Sequence, residues 1–113
     1  MAKILFLDDS YERSVVFKQQ HSDDYVAVVT NVGDFIFAMR QPIHFDEIYL
    51  DHDLGPGCPD GREAAKFLAT LSPDTLPERI HLHTGDREMA REMGKILRDA
   101  HIRSTYAPFQ TFR

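Results

Sequence analysis

Short apolar runs alternate with segments of helical periodicity along the chain. The runs KILFLD (residues 3–8), YVAVVT (25–30), DEIYLD (46–51), RIHLHT (79–84) and, more weakly, IRSTYA (102–107) have the length and the β-branched or aromatic content of buried strands. One helix-length segment separates each run from the next. Ser10, Asn31, Asp60 and Asp86 stand where helix N-caps are needed, and Glu63, three residues after Asp60, fits a capping box. In the fourth helical segment Met89, Met93, Ile96, Leu97 and Ala100 repeat at helical spacing. Pro42, Pro73 and Pro77 fall between elements, where a missing N–H does least harm.

Strands that alternate with helices predict an α/β architecture. Parallel strands need crossover connections, and those place helices on both faces of the sheet. The expected fold is flavodoxin-like, a five-stranded parallel sheet forming a single domain over residues 1–113. In such sheets ligands bind outside the carboxyl ends of the strands, near the point where strand order reverses.

Composition narrows the function. With 113 residues and 42% hydrophobic content the chain can bury one core of its own. Its net charge of -5 argues against a broad nucleic-acid-binding surface, which needs clustered Lys and Arg, and no aromatic-basic stripe stands out. A small phosphate-bearing ligand fits that balance. One cysteine, Cys58, gives no disulfide framework and reads as an incidental loop residue. The apolar run after Met1-Ala2-Lys3 is too short for a signal peptide or membrane span, so a cytoplasmic protein without membrane association is expected.

Candidate chemistry gathers at the predicted carboxyl ends. The first strand ends in Asp8 and Asp9, the third in Asp51, His52 and Asp53, and the fourth in His83 and Thr84. Converging carboxylates repel one another, and a divalent hard cation is the simpler remedy. Mg²⁺ is the expected ion, with Mn²⁺ as an alternative. The plainer role of such residues, capping helices and ending strands, suits any one Asp better than the group of three. His83 and His52 suit acid–base chemistry near neutral pH. Adjacent strand residues point to opposite sides, so His52 either joins the crevice or turns into a helix interface. His21, His44, His81 and His101 read as surface or core residues.

ILFLDDS followed by a helix resembles the first strand and acidic pair of response-regulator receiver domains, and IYLDHDLG resembles their phospho-acceptor strand. The His-Thr of HLHTGD lies where that family keeps a Ser or Thr, and APF lies where it has Lys-Pro. The resemblance implies that Asp9 and Asp8 hold Mg²⁺, that Asp51 is the acceptor-like carboxylate, that Asp53 offers its backbone carbonyl to the metal, and that Thr84 contacts a phosphoryl group. Ala107 occupies the lysine position, and no sequence after the fifth strand is expected to form the usual fifth helix. A second copy of the chain is expected to cover the face so left open, giving a homodimer.

FLDD, LDHDLG and HTGD, with a Met-rich helix following, resemble a narrower branch, the cyclic-phosphate processing receiver domain. That resemblance implies a metal-dependent phosphoesterase acting on cyclic phosphates, such as 2′,3′-cyclic ends of RNA or nucleotides. In this reading Asp8, Asp9 and Asp51 hold the metal, while His83, with or without His52, moves the proton. Asp51 as a nucleophile is the alternative route. No Lys or Arg is evident at the crevice, so the metal is expected to carry most of the charge stabilisation, with Arg62 and Arg87 as candidates to assist. The competing reading is a degenerate receiver that serves as a phospho-acceptor or protein-interaction module.

Overall fold

A computed structural model describes residues 1–108. The chain runs β1 (Lys3–Leu7), α1 (Tyr11–Gln20), β2 (Tyr25–Val29), α2 (Val32–Met39), β3 (Glu47–Leu50), α3 (Gly61–Ala69), β4 (Arg79–Leu82), α4 (Arg87–Asp99) and β5 (Thr105–Tyr106), with a short 3₁₀ turn at Pro73–Thr75 before β4. All neighbouring strands pair in parallel, in the order β2-β1-β3-β4-β5. This is the flavodoxin-like receiver fold, and its strand order reverses between β1 and β3.

Alternation along the strands builds two cores. Leu5, Leu7, Ile48, Leu50, Ile80 and Leu82 point to one face, where they pack with Val32 and Phe35 of α2, Ala64 and Leu68 of α3, and Met93 and Leu97 of α4. On the other face Ile4 and Phe6 pack against Phe17 of α1, whose ring stacks on Phe6 at 4.2 Å. The helices therefore divide three to one. No helix follows β5 among the described residues, and none of the described helices lies over the β3–β5 half of that second face. Its surface is not simply apolar: Tyr49 stacks on His81 at 4.3 Å, and His81 Nε2 meets Glu47 Oε1 at 3.0 Å.

All four predicted N-caps form, with side-chain oxygens of Ser10, Asn31, Asp60 and Asp86 accepting from the first turns of their helices. The capping box does not. Asp60 accepts from Arg62, while Glu63 turns outward to Lys66. The strands are also shorter than expected: β1, β3 and β4 end at Leu7, Leu50 and Leu82, immediately before Asp8, Asp51 and His83. β5 loses most: Ile102 donates its N–H to Leu97 O and His101 donates to Arg98 O, with His101 left-handed at φ 62°. Those two hydrogen bonds close α4 in a Schellman arrangement and use residues that the apolar pattern assigns to a strand.

Candidate functional site

The strand register lines up the site. Just past β1, β3, β4 and β5 the next residue still donates one ladder bond: Asp8 N to Val29 O, Asp51 N to Leu7 O, His83 N to Leu50 O and Ala107 N to Leu82 O. Asp8, Asp51, His83 and Ala107 thus form a row along the carboxyl edge of the sheet. There a pocket of about 600 Å³ is lined by Asp9, Arg13, Asp51, Asp53, His83 and Thr84, among others.

Asp8, Asp9 and Asp51 each bring one carboxylate oxygen to within 4.8 Å of the others. Asp8 is 0% exposed, and its charge is held by a dense set of donors. Ser10 N donates to Oδ1 at 2.8 Å, Arg13 Nε to Oδ2 at 2.7 Å and Arg13 Nη2 to Oδ1 at 2.9 Å. Asp51 has less help. Its Oδ1 accepts the His52 N–H at 2.9 Å, and Arg13 Nη2 stands 3.4 Å from its Oδ2. Burial, reinforced by the charge of Asp8, pushes the Asp51 carboxyl up to about 6.

The arginine corrects one expectation. The crevice does hold a cation, Arg13, whose hydrogen bonds to Asp8 raise its pKa further. Ser10 caps α1 by accepting from Arg13 N, so Arg13 is the third residue of the helix. Helical side chains tilt toward the N-terminus, and this one leans back over the carboxylates. A cation in a first turn opposes the helix dipole, which is itself a sign that some acidic group compensates it. Arg62 and Arg87, the expected candidates, are not in the pocket: Arg62 pairs with Asp60 and Glu92, and Arg87 faces a groove beside β5.

His83 is buried against Phe6, ring centroids 4.9 Å apart. Its Nε2 lies 3.2 Å from Leu7 O, and a carbonyl can only accept, so Nε2 carries the proton of the neutral ring. Burial holds its pKa below the usual histidine range. Nδ1, at 3.9 Å from Asp8 Oδ2, is then the atom with the lone pair. Thr84 is buried at the pocket wall and its Oγ1 accepts from Asp86 N, which leaves the hydroxyl proton to donate elsewhere. Asp53 is exposed; its carboxylate is taken up by Gly55 N in a turn where Gly55 has φ 114°.

His52 is not brought to the pocket. It takes the helix-interface orientation, with Nε2 3.5 Å from Asp60 Oδ2. The same contact region hides a second residue missed in the sequence. Gly61 N donates to His52 O at 2.8 Å, and a Cβ on Gly61 would lie 2.0 Å from the carbonyl oxygen of Asp51. Only glycine lets α3 start that close to the acidic strand end.

Comparison with known proteins agrees with this architecture. The family model described as the cyclic-phosphate processing receiver domain matches residues 3–99. Among solved structures, the receiver domain (CheY-like) of a response regulator from Methylobacillus flagellatus is 17% identical, with a TM-score of 0.74 over 99% of this chain and 89% of that one. The Mn(2+)-bound form of response regulator Rcp1 is 16% identical, with a TM-score of 0.73 over 99% and 84%. A receiver domain protein from Methanospirillum hungatei is 18% identical, with a TM-score of 0.74 over 97% and 84%. No curated protein sequence matches. Among the described residues no helix is long and apolar enough to cross a membrane.

Proposed function

As the chain belongs to the cyclic-phosphate processing receiver domain family, we propose that its acidic pocket takes a divalent cation and hydrolyses cyclic phosphodiesters, 2′,3′-cyclic ends of RNA or nucleotides being the expected class. The observation that carries this reading is the meeting of Asp8, Asp9 and Asp51 beside a buried neutral imidazole and a guanidinium. A retired phospho-acceptor needs neither of the last two.

The donor set fits Mg²⁺ or Mn²⁺, since it offers oxygen atoms alone, and Asp51, whose carboxyl is raised first by burial and then by the charge of Asp8, is a group that a cation would stabilise in its ionised form. The Mn(2+)-bound neighbour supports the same class of ion. Asp8, Asp9 and Asp51 would hold it. When bound, such an ion polarises a phosphoryl oxygen and makes a nearby water more acidic.

The chain's own residues supply the rest. Ring opening adds water across one P–O bond: the water oxygen bonds to phosphorus and the ribose oxygen leaves. His83 Nδ1 takes the proton that the water releases and returns one to the leaving oxygen, so the ring ends neutral as it began. Thr84 donates its hydroxyl proton to the phosphoryl group. Arg13 offsets one negative charge: three carboxylates, one guanidinium and a divalent ion sum to zero, a balance that admits an anionic diester.

A receiver that accepts a phosphoryl group on Asp51 is the second reading, supported by the receiver fold of all three neighbours. Ala107 at the end of the row brings no ammonium to it. Small phosphoryl donors with Mg²⁺ separate the two: a stable acid-labile adduct on Asp51 favours the module, and turnover of a cyclic nucleotide favours the enzyme. A second copy of the chain over the β3–β5 face, which no described helix covers, belongs to the same proposal, and a monomer at all concentrations in sedimentation would remove it.

A further inference from the structure

The described cations are unevenly placed. Arg13 is drawn into the acidic pocket, while Arg62, Lys66, Arg79 and Lys95 enter surface ion pairs. Among the described residues with no ion pair, Lys3, Lys18 and Arg40 are scattered, whereas Arg87, Arg91, Arg98 and Arg103 are gathered on α4 and the segment leading into β5. Arg87, Arg91 and Arg98 border a groove of about 590 Å³ between α4 and β5, floored by Leu82, Gly94 and Tyr106. A recess of about 540 Å³ continues it past Arg98 to Arg103.

The groove starts where the acidic pocket ends. Thr84 and Gly85 line the pocket, and Arg87 is the first residue of α4. From there to Arg98 the helix rises about 16 Å, room for several phosphates of an extended strand. Glu92 also borders the groove, but Arg62 Nη1 holds its carboxylate at 3.1 Å.

We propose that this groove binds a single-stranded RNA segment whose terminal phosphate enters the acidic pocket. Guanidinium groups in a row suit successive phosphates, and Tyr106, 39% exposed, offers a ring on which a base can stack. A second copy of the chain fits less well, because a two-fold contact would set the arginine rows against each other. The acidic total charge excludes a broad basic surface but not one narrow groove. The placement of the strand end rests on the phosphoesterase reading above; the groove itself does not.

The test measures anisotropy of a labelled single-stranded RNA oligomer ending in 2′,3′-cyclic phosphate, using Asp51→Asn protein so that the end is not consumed. Adding Arg91→Ala and Arg98→Ala should weaken binding about tenfold and reduce the log–log salt slope by about 1.4, roughly 0.7 for each lost phosphate contact. Both positions are exposed and alanine keeps the helix. With Asp51 restored, turnover of a cyclic mononucleotide should be unchanged by the two substitutions. Unchanged oligomer affinity and slope would overturn the groove. So would equal, arginine-dependent binding of polyglutamate, or dissociation of a dimer by the same substitutions. Turnover of mononucleotide without tighter oligomer binding would remove the groove and leave the enzyme; arginine-dependent oligomer binding without turnover would do the reverse.

Discussion

Arg13 grips Asp8 at two points, Nε on Oδ2 at 2.7 Å and Nη2 on Oδ1 at 2.9 Å, and the same Nη2 stands 3.4 Å from Asp51 Oδ2. The guanidinium therefore sits on oxygens that a divalent cation would want. Arg13→Ala leaves a fully buried carboxylate without its main partner. Breaking a buried pair costs about 3–5 kcal/mol, and since Arg13 is 37% exposed about 2–3 kcal/mol is expected here. Mg²⁺ should then stabilise the variant more than the wild type, because the ion replaces the missing charge. Denaturant unfolding in chelator and in Mg²⁺ checks this; equal gains from Mg²⁺ would count against a shared site.

Gly61 stands against the carbonyl of Asp51, and the 2.0 Å approach of an added Cβ leaves the backbone no room. Gly61→Ala should destabilise the protein by about 2–3 kcal/mol, as overpacking does, despite alanine's better helix propensity. It should also weaken metal binding by moving the strand end. Urea midpoints and a metal titration of the variant measure the two effects separately.

The pH dependence of the metal-free protein should expose Asp51. Its folded pKa, about 6, lies above the ordinary 3.8, so the folded state binds that proton more tightly than the unfolded chain does. The stabilisation is complete below about 4 and is lost as pH rises through 6. Two units correspond to about 3 kcal/mol. Asp24, Asp60 and Asp99, whose pKa values are lowered, pull the other way, so the quantity to compare is wild type minus Asp51→Asn. That difference should fall between pH of about 4 and about 7 in chelator.

His101 closes α4 with φ 62°, a conformation that costs a non-glycine residue about 1 kcal/mol. Its side chain is exposed, so His101→Gly should raise the unfolding temperature without altering the site. No rise in a thermal melt would contradict the capping account.

Much of this molecule is legible in one dimension because its signals are local. Each apolar run locates a strand, each Ser, Asn or Asp before a helix locates a cap, and parallel pairing of short strands brings Asp8, Asp51 and His83 to one edge. Arg13 escaped because its role depends on which way a helix's third residue leans, although an arginine in a first turn just after two aspartates was the available sign. Gly61 escaped because a close approach of helix to strand leaves no pattern in sequence. His52 shows the same limit: period-two alternation allowed two orientations, and contact with Asp60 decided between them. The groove beside α4 was hidden by a net charge that sums over the whole surface.

Hydrolysis of a 2′,3′-cyclic nucleotide, measured with Mg²⁺, Mn²⁺ or chelator beside Asp51→Asn and His83→Ala, separates a phosphoesterase from a phospho-acceptor. Metal-dependent ring opening that each substitution abolishes is the expected result. No turnover with either metal, together with a stable acid-labile phosphoryl group on Asp51, would contradict it.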